Sequence, residues 1–576
     1  MKFLPWVKEK KLGSVNQNYA AYVAIDGLKK SAIEESRSRI TLGIIIIALV
    51  YCVIAGRLMF YGFMDPSETV RMALKDPTIS ARRPDLIDRN GITLATDINT
   101  ASLYGEPRRI IDADEVVELL STILPDLNYE KIHKRLSGKA AFVWLKRELT
   151  PLQQSQILAL GIPGIGFKKE TKRFYPKSNT ASHLVGHVNI DNVGIAGVEK
   201  YIDDRGLKDL RAAGFGSVAN DEPVRMSIDL RVQHFVHDEL EKAMERYKAI
   251  AAGAVVLDVH TGEVIAMASL PDYNPNTPAD ALKKENLNRM SAGLFEMGST
   301  FKSFTTAMAL DSGFVTMRSK FDATKPLYVG GFTINDFHAK RKVLTVPEAF
   351  IYSSNIATAK MAGVVGVEKH KEFLTRMGLL SKMDLELPEV ATPSQPKKWK
   401  KINSVTISYG HGVITTPLQT AVAGAALVNG GKLIPPTIFP RSRIQADAIA
   451  KQVIKPSTSD AMRYLFRLNV EKGSGSRSDV PGYWVGGKTG TAEKVINGKY
   501  SSKHRFNTFL AAFPINDPKY VVLTFIDEPK PEEKGIGATA GRNAAPMIAN
   551  IIRRAAPVLG IRPQFGSDLK LMSVRY

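Results

Sequence analysis

Ser299 and Lys302 stand three residues apart in EMGSTFKSFTTAMAL, at the start of a run whose apolar pattern predicts a helix. Three residues is about one helical turn, so the lysine amine can lie against the serine hydroxyl, and burial would lower its pKa toward that of a usable base. Alone, the tetrapeptide is unspecific, because serine commonly caps helices and an exposed lysine is merely solvated. Two downstream segments change its weight: Ser353-Ser354-Asn355 in IYSSNIATAK, and Lys488-Thr489-Gly490-Thr491 in WVGGKTGTAEK. Together, in this order, the three make a set suited to acyl transfer through a serine nucleophile.

Other patterns compete for the same residues. The stretch from Gly482 to Thr489 formally matches a nucleotide-binding P-loop. A P-loop needs a buried strand before it and a helix directly after, whereas this stretch follows the polar run EKGSGSRSDV and is broken at once by Gly490. Tyr483, Trp484 and Val485 suit a strand better than a phosphate cradle. His183 and His187 are spaced to share a helix face, but they lack an adjacent glutamate and a third ligand, so a structural role is expected. No metal and no cofactor are expected.

The elements that must position these residues begin with a membrane anchor. From Ile40 to Gly56 the chain is uncharged, and apolar character resumes past Arg57, which predicts one membrane-spanning helix over 40–62 with Arg57 snorkelling toward the interface. The basic flank Lys2, Lys8, Lys10, Lys11, Lys29, Lys30, Arg37 and Arg39 predicts a cytoplasmic tail over 1–39, with all that follows the anchor extracytoplasmic. Bulky residues after Val53 and Ala55 argue against a cleaved signal. Cys52, the only cysteine, falls in this helix, which excludes intrachain disulfides, thiolate zinc sites and a cysteine nucleophile in a soluble domain.

Residues 63–222 mix short strand-like and helical runs without a catalytic cluster. Beyond them Val232, Phe235, Val236, Leu240 and Met244 are spaced as one helical face. AAGAVVLDV and EVIAMASL flank His260-Thr261-Gly262 and read as a hairpin; TFLAAFPI and KYVVLTFID are further strand candidates, while segments near 300–313, 414–428 and 543–555 read as helices. One α/β domain over 223–560 is expected, its sheet completed by distant segments, with a loosely held tail over 561–576. The 576 residues are 44% hydrophobic and 23% charged, ordinary for packed domains, and the net charge of +21 indicates anionic surroundings. Without arginine-rich runs, zinc-finger spacing or aromatic ribonucleoprotein motifs, nucleic-acid binding is not indicated.

The chain resembles the class B penicillin-binding proteins, monofunctional D,D-transpeptidases, over nearly its whole length. Besides the three motifs, the likeness rests on Arg83-Pro84-Asp85-Leu86-Ile87-Asp88-Arg89-Asn90-Gly91, Arg173-Phe174-Tyr175-Pro176, His183 to Gly186 and Gly194 to Glu199, all similar to the family's pedestal. Asp258 to Gly262, Tyr409-Gly410-His411-Gly412 and Thr416-Pro417-Leu418-Gln419 look like its transpeptidase domain. Pro84 replaces the family's usual glycine, and Met297 stands where proline is commoner. The sequences around Ser299, Ser353 and Lys488 look closer to the division-specific (FtsI-type) enzyme than to the elongation enzyme.

The resemblance implies a single N-terminal transmembrane helix, an elongated mixed α+β pedestal, and a penicillin-binding, serine β-lactamase-like transpeptidase domain with a central antiparallel sheet flanked by helices. It leaves no room for a glycosyltransferase domain. It further implies Ser299 as nucleophile on the D-Ala-D-Ala end of a peptidoglycan stem peptide, Lys302 as base, Ser353 as proton relay, and Asn355 as a contact to the peptide that also helps hold Lys302. Lys488, Thr489 and Thr491 would bind the terminal carboxylate, with Gly490 between them, and the N–H groups of Ser299 and Thr491 would form an oxyanion hole. β-Lactams would acylate the same serine. Expected partners are a polytopic septal glycosyltransferase (FtsW-type) and other divisome membrane proteins, at the septum of the bacterial inner membrane. An elongation-specific transpeptidase, a penicillin sensor or β-lactamase, and a non-catalytic division scaffold remain open as alternatives.

Overall fold

The computed structural model describes residues 28–63, 83–212, 222–533 and 537–565. Helix α1 (Leu28–Phe63) is a unit by itself and contains a stretch, Ile40–Met59, long and apolar enough to cross a membrane. Its described side chains, Cys52 included, are almost all exposed, as befits a helix whose apolar partner would be lipid. The helix starts upstream of the expected anchor, within the stretch read as tail; residues 1–27 lie outside the described ones.

The second unit runs from Arg82 onward. Its first part is built on β1 (Leu86–Ile87), the long β2 (Thr93–Gly105), β3 (Val143–Leu149) and β4 (Ile165–Phe174), with β3 and β4 both antiparallel to β2. Two helices, α2 (Ala113–Ile123) and α3 (Tyr129–Leu136), cover one face of this sheet. Asp112 and Asn128 cap them by accepting backbone N–H groups, and Val117, Leu120 and Ile132 pack on Leu103, Leu145 and Leu149.

Charged residues hold the base of this part. Arg83 Nε lies 2.9 Å from Glu199 and its Nη1 2.8 Å from Asp203, while Arg173 lies 2.6 Å from Glu199 and 3.1 Å from Asp97. The Arg173, Asp97 and Glu199 side chains are completely buried. Three of the four pedestal motifs read from the sequence thus close on one another, with Glu199 supplied by α4 (Gly197–Ala212). Such a lattice tolerates no missing partner, because each charge has given up water for the others. From it β1 pairs in parallel with β5 (Val224–Arg225), and Asp88 accepts N–H bonds from Asn90, Ile92 and Leu230, the last being the first residue of α5 (Leu230–Tyr247).

The remainder is one antiparallel sheet between two helical layers. The hairpin is present as β6 (Ala251–Asp258) and β7 (Val264–Leu270). Asp258 closes its turn by accepting N–H bonds from His260 and Thr261, and Gly262 adopts φ +73° where a Cβ would strike the Pro435 carbonyl. The C-terminal strands β8 (Gly486–Ile496), β9 (Lys499–Phe513) and β10 (Tyr520–Asp527) complete it in the order β8-β9-β10-β6-β7. Apolar residues fill both faces of β6 by alternation: Val255 and Leu257 enter one core, while Ala252, Ala254 and Val256 enter the other with Val232, Val236 and Leu240 of α5.

Residues 561–565 are not loose. Gln564 N donates to Gly482 O at 2.8 Å, and Trp484 Nε1 donates to Gln564 O at 3.2 Å, so the first residues of the expected tail are held by the catalytic domain; residues 566–576 lie outside the described ones. His183 and His187 do not share a helix: His183 Nε2 bonds Asn286 O at 2.8 Å, and both rings meet Tyr273 edge to face.

Candidate active site

Ser299 is half-buried on a tight turn, Gly298–Thr300, which leads into α6 (Phe301–Asp311), so Lys302 falls in the first turn of a helix buried almost throughout. Glycines let the turn sit where it does. Gly298 has φ +53°, and a Cβ there would lie 2.7 Å from Thr491 O; a Cβ on Gly490 would lie 2.4 Å from Met297 O. The backbone of the serine turn is therefore seated directly on β8, and the Gly490 of the third motif is explained by close approach.

Ser353 also has a left-handed backbone, φ +56°, unusual for a residue bearing a Cβ. The conformation turns both of its oxygens to Lys302, whose Nζ lies 2.5 Å from Ser353 O and 3.0 Å from Ser353 Oγ. Lys488, on β8, reaches the same hydroxyl at 3.0 Å. Two amines thus share one oxygen, and neither lysine is more than 2% exposed. Burial drives the Lys302 pKa well below its ordinary value, with the charge of Lys488 pushing the same way, and burial brings Lys488 down to about 7. Two buried amines without a bonded carboxylate resist carrying two positive charges at once, which favours the neutral form of one of them.

Ser354 is the cap of α7 (Asn355–Val365), accepting from Ala357 N at 3.0 Å and donating to Asp336 at 2.7 Å. Asn355 Nδ2 donates to Asn335 O at 2.8 Å, and the hydrogen bonds of Lys302 go to Ser353. The expected contact of Asn355 to Lys302 is not among these hydrogen bonds; the Ser353 carbonyl, presented by the left-handed backbone, holds the amine. Thr489 shares a 2.6 Å hydrogen bond with Ser474, and Thr491 Oγ1 accepts from Ala540 N at 3.2 Å.

A second layer was missed by sequence reasoning. Glu296 accepts from Gly412 N at 2.7 Å and Tyr500 at 3.1 Å, tying the turn before Ser299 to the Tyr409-Gly410-His411-Gly412 loop and to β9. Burial raises its pKa, and burial, with Lys302 in its protonated form acting the same way, lowers that of His411 to about 4. Asp336, Ser474 and Tyr500 had no motif to mark them, and Glu296 stood in the serine motif without a role; only the convergence of distant segments gives them one. The P-loop reading fails on geometry, since Lys488 and Thr489 lie inside a buried strand.

Residues 252–553 match the penicillin-binding protein transpeptidase domain and residues 78–206 the penicillin-binding protein dimerisation domain. The chain is 40% identical over 502 residues to the probable peptidoglycan D,D-transpeptidase FtsI of Caulobacter vibrioides, covering 84% of this chain and 82% of that protein. It is 31% identical over 556 residues to the probable peptidoglycan D,D-transpeptidase PenA of Neisseria gonorrhoeae, covering 92% and 94%, and 29% identical over 556 residues to FtsI of Escherichia coli K12, covering 90% and 91%. Among solved structures it is similar to the apo transpeptidase domain of penicillin-binding protein 3 from Burkholderia pseudomallei, with a TM-score of 0.53 and 30% identity over 59% of this chain and 98% of that one. With a buried lysine pair beside the serine turn and likeness along both parts of the second unit, the chain belongs to the penicillin-binding protein transpeptidases, as a class B member of the FtsI type.

Proposed function

We propose that this protein cross-links peptidoglycan at the division septum as a D,D-transpeptidase, through an acyl-enzyme on Ser299. The observation that carries the reading is the shared hydroxyl of Ser353, held at 3.0 Å by both Lys302 and Lys488 beside the serine turn. Neutral Lys302 takes the Ser299 proton as the hydroxyl attacks the carbonyl between the two terminal D-alanines of a donor stem. The proton then passes by way of Ser353 to the departing D-alanine amine, and the amine of a neighbouring stem takes the acyl group. Backbone N–H groups of Ser299 and Thr491 face the developing oxyanion, a contribution of about 3 kcal/mol per donor. The hydroxyls of Thr489 and Thr491 meet the substrate carboxylate by releasing Ser474 and Ala540, while Lys488 serves from beneath as a charge next to Ser353. Asn355 is free to turn from Asn335 to the peptide.

In this reading residues 1–39 are a cytoplasmic tail, 40–62 the anchor, 63–222 the pedestal and 223–560 the transpeptidase domain, with the catalytic part outside the inner membrane. The basic flank of the anchor supports that orientation. Anchor and pedestal are proposed to bind a polytopic septal glycosyltransferase (FtsW-type) and other divisome membrane proteins. Ser299→Ala is expected to abolish labelling by a fluorescent penicillin without loss of folding; persistent labelling refutes the nucleophile. Slow release of the bound penicillin separates this enzyme from a β-lactamase, and a fluorescent fusion spread evenly along the cell wall, without midcell enrichment, refutes the septal role.

A further inference from the structure

Beside the Ser353 triplet stands a segment that the reaction above does not use. A short hairpin, Leu327–Val329 with Phe332–Ile334, turns at Gly330-Gly331, both left-handed. Ile334 is buried against Ala359 of α7 and Val405, which fastens the hairpin to the catalytic domain. The chain then runs directly along the site: Asn335 O accepts from Asn355, and Asp336 accepts from Ser354 and from Ile356 N at 3.0 Å. This anchoring is firm, yet what it carries is exposed. Phe332 is 62% and Phe337 73% exposed. Lys340, Arg341 and Lys342 follow, also exposed; Lys342 pairs with Glu348 at 2.8 Å, and the Lys340 and Lys342 amines lie 5.1 and 5.3 Å from the ring centre of Tyr352, the residue before Ser353. Between residues 318 and 342 six lysines and arginines face only two acidic residues.

Exposed phenyl rings give up no contact with water unless something covers them, and a run of like charges repels itself. A ligand that relieves both must offer flat apolar faces and negative charge at close spacing. Sugar rings present C–H faces to aromatic side chains, and carboxylates of attached stem peptides pair with ammonium and guanidinium groups. We infer that Phe332, Phe337, Lys340 and Arg341 form a rim that binds the stem-bearing glycan strand of peptidoglycan. The inference rests on the acyl-transfer reading above and adds to it a polymer subsite. Held at the rim, a strand delivers its stems to Ser299 at high effective concentration, so binding energy spent away from the reacting bond positions the bond itself.

The test uses the full chain in detergent and labelled, uncross-linked glycan strands as the probe, with binding read by fluorescence anisotropy. Phe337→Ala, and Lys340→Ala combined with Arg341→Asn, are each expected to weaken strand binding about tenfold. Asparagine suits the left-handed backbone of Arg341, φ +51°, so the double variant provides a fold-safe reading, checked by its melting temperature. Lys168→Ala with Lys169→Ala, which removes equal charge from the exposed surface of the pedestal, is expected to change binding less than about twofold. Strands stripped of their stem peptides should lose the lysine and arginine dependence and keep the Phe337 dependence. Wild-type affinity in the rim variants overturns the rim, as does an equal loss in the pedestal control, which would reduce the effect to net charge. A wild-type chain that fluorescent penicillin does not label overturns the acyl-transfer reading instead, whereas a labelled wild type with fully binding rim variants sinks the rim alone.

Discussion

At the scale of single residues, the site works by denying water to two amines. A lysine in solvent holds its proton at neutral pH and is no base; burial beside a second cation reverses the preference. Lys302→Met is therefore expected to slow acylation by penicillin about 10³-fold, within the range that a general base contributes, measured by stopped-flow labelling. The sign of the pH dependence follows from the same shift. In the proposed mechanism acylation needs neutral Lys302, so the rate falls as pH drops through its lowered pKa. Lys488→Ala removes a charge that pushes this pKa down, and the acid limb of the rate profile should move to higher pH. A limb that stays in place, or moves to lower pH, would separate the two lysines.

At the scale of elements, the decisive contact is the serine turn seated on β8. The turn and the strand approach closely enough that one added methyl group would force them apart. Gly490→Ala would put a Cβ 2.3 Å from the Thr508 hydroxyl and 2.4 Å from the Met297 carbonyl, so the turn must shift away from Thr491. In the proposed mechanism the Thr491 and Ser299 N–H groups form the oxyanion hole, so acylation should fall about 10²-fold or more. A crystal structure of the variant would show the turn displaced. Undiminished labelling would mean that the approach of these two backbones is not needed for reaction.

At the scale of the whole molecule, the pedestal and the catalytic domain are joined by charge as well as by strands. Arg89 crosses to Glu263 of the catalytic hairpin at 2.9 Å, while within the pedestal Arg83 and Arg173 converge on Glu199. Glu199→Gln leaves two buried guanidinium groups short of a counter-charge, at a cost of about 3–5 kcal/mol. The melting temperature of the solubilised chain should fall accordingly. An unchanged midpoint would show that water or Asp97 and Asp203 make good the loss, and that the lattice is not what holds the pedestal together.

The sequence by itself determined the local features. A long apolar run, the hairpin at His260-Thr261-Gly262, the helix face from Val232 to Met244 and the ordered serine and lysine motifs each depend on near neighbours, and periodicity or turn chemistry reports them directly. It also disposed of the P-loop, because bulky residues and Gly490 exclude a phosphate cradle within a few positions. What the tertiary structure alone decided is which side chains meet. Ser353 holds Lys302 through a left-handed carbonyl, Asn355 turns to Asn335, Thr489 pairs with Ser474, and Glu296 clasps Gly412 and Tyr500. These pairs join segments up to 204 residues apart. Their partners are fixed by the order in which β8, β9 and β10 close the sheet on β6, and by the burial that closure creates, neither of which leaves a mark in any local stretch of chain.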